Sequence, residues 1–130
     1  MGDVALRMTA VQGRPGIAVI APVGPLDARN VAGLEAAMVP CRAKGIRAWV
    51  LDLGEVKYVN SLGMAYLVNL SDELKAERGA LVLANPQPKV KVLFELMGLA
   101  AIFTLHRSVS TAVRSIRTPR ASLQNARPEG

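Results

Sequence analysis

The stretch VLDLGEVKYVNSLGMAYLV, residues 50–68, decides how the rest of the chain is read. Its start belongs to the run IRAWVLDL, residues 46–53, an almost unbroken apolar segment of the kind that forms a strand covered on both faces of a sheet. After a short polar interruption, Gly63, Leu67, Leu70 and Leu74 recur at helical spacing, while Asn69, Asp72, Lys75 and Glu77 fall mainly on other faces. A buried strand running directly into an amphipathic helix is the repeating unit of an α/β fold. Ser61 stands at the junction. A serine or asparagine there can accept a hydrogen bond from the free backbone N–H groups of the helix's first turn, which contributes about 1 kcal/mol.

Working outward toward the N-terminus, residues 4–11 (VALRMTAV) and 17–23 (IAVIAPV) are strand-compatible runs separated by QGRPG, so they read as a hairpin. In the following GPLDARNV, Asp27 is placed to cap a helix whose buried side carries Val31, Leu34, Met38 and Cys41. Pro40 removes a backbone donor, which predicts a kink or an end near Val39. Gly45 closes the segment.

Working toward the C-terminus, Gly79 ends the helix that starts near Ser61, and residues 80–84 (ALVLA) form a short buried strand. Val90, Leu93, Phe94 and Met97 mark a third amphipathic helix closed by Gly98. Residues 101–105 (AIFTL) read as a last strand, and Ser108 caps a final helix carrying Ala112, Val113 and Ile116. The expected fold is α/β: a mixed sheet of about five strands, largely parallel, with crossover helices and an N-terminal hairpin strand.

The totals narrow the function classes. A chain of 130 residues with 51% apolar composition buries one core. It lacks an apolar run long enough for a membrane helix and a secretory leader pattern, so a cytoplasmic location with no membrane span is expected. With one cysteine (Cys41) and one histidine (His106), neither an internal disulfide nor a metal cluster is expected. The formal charge of +6 is uneven: five basic residues and one acid lie from Arg107 onward, against eleven basic and nine acidic before it. The excess therefore sits mostly at the C-terminal end, where residues 118–130 read as a disordered basic tail following a domain of residues 1–117. That tail carries the nucleic-acid reading, against which stands an aromatic content of only 4%.

No catalytic constellation is visible. Asp52 ends a sheet strand but has no accompanying base, nucleophile or metal ligands, so it reads as a structural hydrogen-bonding group. Cys41 reads as a packed small hydrophobe and His106 as a boundary residue. The glycines lack P-loop spacing, so no nucleotide or other cofactor is expected, and the chain reads as a non-enzyme.

The hairpin ending in GPLD, the strand end LDL at residues 51–53, the YV step, the junction NSLGM and the Asn85–Pro86 pair before the third helix together resemble a STAS domain. That family includes the bacterial anti-sigma-factor antagonists. The resemblance spans about residues 3–117. It implies a regulatory module that binds an anti-sigma factor that is also a serine kinase, with Ser61 as the residue phosphorylated and a phosphatase reversing the modification. The partner face it implies comprises Leu26, Asp27, Asn60, Ser61, Leu62, Gly63 and Met64, with Pro86 and Gln87 at its edge. Asn60 stands where the family usually has aspartate, and Leu62 where a small or hydroxylated residue is commoner. Leu62 is expected to form an apolar contact surface with Met64. Two alternatives stand beside this reading: a constitutive STAS subunit of a stress-sensing or transporter complex, not phosphorylated, and nucleic-acid binding through the basic tail. Self-association is left open.

Overall fold

The computed structural model describes residues 5–117. The expected tail, residues 118–130, lies outside the described residues, as do residues 1–4.

Strands β1 (Ala5–Ala10) and β2 (Ile17–Val23) form the antiparallel hairpin. Its turn uses positive φ at Gly13 (77°) and Gly16 (92°), a region that favours glycine. From β2 the chain alternates: α1 (Ala28–Ala43), β3 (Ala48–Asp52), α2 (Ser61–Ala76), β4 (Ala80–Ala84), α3 (Pro88–Leu96), β5 (Leu105–His106) and α4 (Val109–Ser115). Strands β2 to β5 are parallel neighbours, and the sheet order is β1-β2-β3-β4-β5.

That sequential order fixes the layers. Each crossover moves one strand in the same direction, so right-handed connections put α1, α2 and α3 on one face. Packing agrees: Leu34 and Met38 of α1, Leu67, Leu70 and Leu74 of α2, and Val90 and Phe94 of α3 share one core with Trp49 and Leu51 of β3. The opposite face is closed by α4, whose Ala112 packs with Ile116, Ile17, Ala48, Val50 and Ala84. Strand β3 thus alternates Trp49 and Leu51 to one face and Ala48 and Val50 to the other, and all four are buried. This is why residues 46–53 read as continuously apolar. Each fully buried leucine stabilises the fold by about 1.5–3 kcal/mol relative to exposure.

Four local expectations are corrected. Helix α1 does not end near Val39 but runs through Pro40 to Ala43, because Pro40 and Ala36 both lie on the exposed side, where the carbonyl deprived of its partner faces water. The segment AIFTL is not a strand: Leu99–Ala101 is a turn of 3-10 helix, and β5 contains only Leu105 and His106. Its apolar character serves packing, since Phe103 is buried edge-to-face on Phe94, with ring centroids 6.3 Å apart. At the end of α2 the left-handed residue is Arg78 (φ 65°), not Gly79. Gly79 is required for a different reason, because any Cβ there would collide with the Arg47 carbonyl at the start of β3. Gly98 (φ 76°) does close α3, although Met97, expected on its apolar face, is 55% exposed.

Candidate functional site

The C-terminal ends of β2 and β3 feed two loops that are zippered together. The Gly24 N–H donates to the Glu55 carbonyl at 2.9 Å, the Leu26 N–H to the Tyr58 carbonyl at 2.9 Å, and the Asn60 N–H to the Leu26 carbonyl at 3.1 Å. These bonds make an isolated parallel bridge between Leu26 and Val59. They also set the caps of α1 and α2, Asp27 and Asn60, each one residue beyond the bridge. Leu26 and Val59 point inward and are buried, which turns Tyr58 outward to 51% exposure.

Each helix start has its own cap. The Asp27 carboxylate accepts the Asn30 N–H at 3.1 Å, and the Asn30 carboxamide donates to the Pro25 carbonyl. On α2 the cap is Asn60, whose Oδ1 accepts the Gly63 N–H at 2.8 Å. Ser61 is therefore the first helical residue and not the cap. It is exposed, and its hydroxyl makes no hydrogen bond among the described residues. The first turn of α2 has no acidic residue and its cap, Asn60, is neutral, so the N–H groups it leaves unpaired make the surface around Ser61 receptive to negative charge, while the start of α1 already carries the Asp27 carboxylate.

The partner face expected from sequence divides once burial is known. Asp27, Asn60, Ser61 and Leu62 reach the surface, with Leu62 at 49% exposure. Leu26, Gly63 and Met64 do not: Leu26 is fully buried, Met64 is 5% exposed, and a Cβ at Gly63 would strike the Leu26 carbonyl. The expected apolar pair of Leu62 with Met64 is thereby corrected, because residues two apart on a helix point to different sides. Tyr58, three residues before Ser61, is the other exposed large hydrophobic side chain at this junction, at 51% exposure. Tyr58 was legible only as one half of an in-out alternation with Val59, and its orientation depends on the bridge to Leu26.

A second set of bonds extends the rim toward β4 and β5. Asp52 Oδ1 accepts the Gly54 N–H at 3.0 Å and the Asn85 carboxamide at 3.2 Å, in the structural role expected of it. The Asn85 N–H donates to the His106 carbonyl at 2.8 Å. Gln87 Nε2 donates to the Gly54 carbonyl at 3.0 Å, so its side chain braces the Ser61 loop against the start of α3. Pro86 is half-buried beside it.

Fold and rim together define a small mixed α/β domain whose distinctive surface is an exposed pair of helix starts at the C-terminal edge of its sheet. Comparison with known proteins gives the family. The model of the STAS domain matches residues 8–112. Over 103 residues the chain is 31% identical to a candidate anti-sigma factor antagonist, BtrV, of Bordetella bronchiseptica, covering 79% of this chain and 89% of BtrV. A crystal structure of an anti-sigma factor antagonist from Mycobacterium paratuberculosis superposes with a TM-score of 0.70 at 25% identity, covering 87% of this chain and 95% of that one. The Bacillus protein SpoIIAA in its phosphorylated form superposes with a TM-score of 0.66 at 21% identity, covering 87% of this chain and all of SpoIIAA. The chain belongs to the STAS domain family, among relatives named as anti-sigma factor antagonists. Among the described residues, no helix is long and apolar enough to cross a membrane.

Proposed function

We propose that this protein is a cytoplasmic anti-sigma-factor antagonist that binds an anti-sigma factor with serine-kinase activity, and that phosphorylation of Ser61 releases it. A phosphatase restores the binding form. The observation that carries the reading is an exposed, uncommitted hydroxyl on the first residue of α2, flanked by the exposed apolar side chains of Tyr58 and Leu62. The similarity to BtrV supports the partner class, and SpoIIAA, solved in phosphorylated and unphosphorylated forms, supports the switch.

The physics of the switch follows from the site. A phosphoserine adds about −1.5 to −2 charges at neutral pH. At a helix start that charge faces unpaired N–H groups, so the domain itself tolerates it. A partner packed on Tyr58 and Leu62 must instead desolvate a dianion, which costs a few kcal/mol and lowers affinity roughly a hundredfold. The kinase chemistry and its nucleotide belong to the partner.

The test is incubation with the cognate kinase and ATP, followed by intact mass measurement of wild type and Ser61→Ala. One phosphate on wild type and none on the variant is expected. Phosphate persisting on the variant refutes the assignment. A second reading, constitutive assembly without phosphorylation, is favoured by the neutral Asn60 and the apolar Leu62 beside the serine. Partner binding unchanged by Ser61→Asp selects it over the switch.

A further inference from the structure

Three basic or titratable residues, Lys91, His106 and Arg107, line a small cleft at the C-terminal ends of β4 and β5. Its lining consists of Pro86, Lys91, Leu105, His106 and Arg107 around a volume of about 170 Å³. Pro86 lies in the loop after β4, Lys91 on α3, Leu105 and His106 in β5 and Arg107 just beyond it, and the loop after β4 is tied to β5 by the bond from the Asn85 N–H to the His106 carbonyl. Open α/β sheets bind ligands at this edge, beyond the carboxyl ends of their parallel strands.

The charges in the cleft are unbalanced. No acidic side chain lines it, and the ion pairs among the described residues are those of Arg42 with Glu73 and Glu77. Lys91 and Arg107 thus lack a carboxylate within ion-pairing distance among those residues. Helix α3 also begins against the usual preference: Lys89 and Lys91 occupy its second and fourth positions, and its first turn has no acid. Pro86 and Leu105 add apolar walls beside these charges, and Lys91 and Arg107 are exposed, so their charges are open to an anion from solvent. A local rule broken without an internal compensation is a mark of a ligand site.

We propose that the Lys91–His106–Arg107 cleft binds a phosphoryl oxyanion. Its volume admits one tetrahedral group, with the Arg107 guanidinium and the Lys91 ammonium donating charge-assisted hydrogen bonds and His106 closing the third side. The oxyanion comes either from free phosphate or from a phosphorylated side chain. This site is separate from Ser61 and does not depend on that residue being modified.

The test is a titration of the isotope-labelled protein with sodium phosphate, with O-phosphoserine and with sodium chloride at matched ionic strength, followed by amide chemical shifts. Saturable shifts around Lys91, His106 and Arg107 with both phosphoryl probes, and not with chloride, are expected. Tighter binding of O-phosphoserine identifies a phosphorylated side chain as the ligand, and tighter binding of phosphate identifies the free ion. The double variant Lys91→Met, Arg107→Met weakens binding by about tenfold or more, whereas Lys91→Arg retains it. Shifts no larger than those of chloride, or shifts that persist in a folded double variant, overturn the proposal.

Discussion

The Asn60 carboxamide oxygen accepts the Gly63 N–H at 2.8 Å, so α2 is capped by the residue before the serine and Ser61 contributes nothing to the cap. The cap thus rests on Asn60, and the regulatory role proposed for Ser61 falls on its neighbour. Asn60→Ala is expected to lower stability by about 1 kcal/mol, while Asn60→Asp keeps the cap and Ser61→Ala stays within about 0.5 kcal/mol of wild type. Urea denaturation of the three variants checks this, and a loss for Ser61→Ala equal to that of Asn60→Ala contradicts it.

Gly63 sits where a side chain would meet both the Leu26 carbonyl and the Val59 side chain. Gly63→Ala therefore pushes α2 away from the bridge that aligns the two helix starts. A loss of about 1–3 kcal/mol is expected, the range of overpacking in a filled core. Thermal or urea unfolding gives the magnitude, and amide shifts at Leu26 and Tyr58 report whether the bridge moves.

Tyr58 and Leu62 are half-exposed apolar groups beside an exposed hydroxyl, an arrangement that fits a desolvated contact centre. Tyr58→Ala and Leu62→Ala are each expected to weaken partner binding by about 1 kcal/mol or more, with little change in folding stability. Calorimetry against the cognate anti-sigma factor supplies the first number and denaturation the second. Unchanged affinity in both variants would place the contact elsewhere.

Tyr66, half-buried on α2, has its phenol pKa pushed up to about 12, first by desolvation and then by the negative charge of Glu35. In the unfolded chain a tyrosine titrates near its ordinary value of about 10. Between these values the unfolded state releases a proton that the folded state keeps. The contribution is therefore intact below about pH 10 and is lost as pH rises toward 12. Tyr66→Phe should flatten the fall of stability in that window, measured by urea unfolding at a series of alkaline pH values.

Much of this protein was legible along the chain. The order of strands and helices, the caps Asp27 and Ser108 and the apolar faces of α1 and α2 are set by hydrogen bonds and side-chain periodicity within a turn or two of each residue. The doubly covered strand β3 announced itself by its unbroken apolar run, because residues on both sides of it are buried. The exceptions have one cause. Pro40 is tolerated inside α1 because its neighbourhood in space is solvent, and AIFTL gives up its strand because Phe94 offers Phe103 a better place to pack.

The junction itself was found by sequence, but the roles within it were not. Whether Asn60 or Ser61 caps α2, whether Leu62 or Met64 faces outward, and that Tyr58 joins them all depend on the bridge between Leu26 and Val59. Those two residues lie on different crossover loops. The same holds for Lys91, His106 and Arg107, which line one cleft only because β4 and β5 are neighbours in the sheet. Sequence determines which elements form, since their hydrogen bonds close locally. Exposure and convergence of side chains belong to the tertiary structure, since they depend on what distant parts of the chain cover.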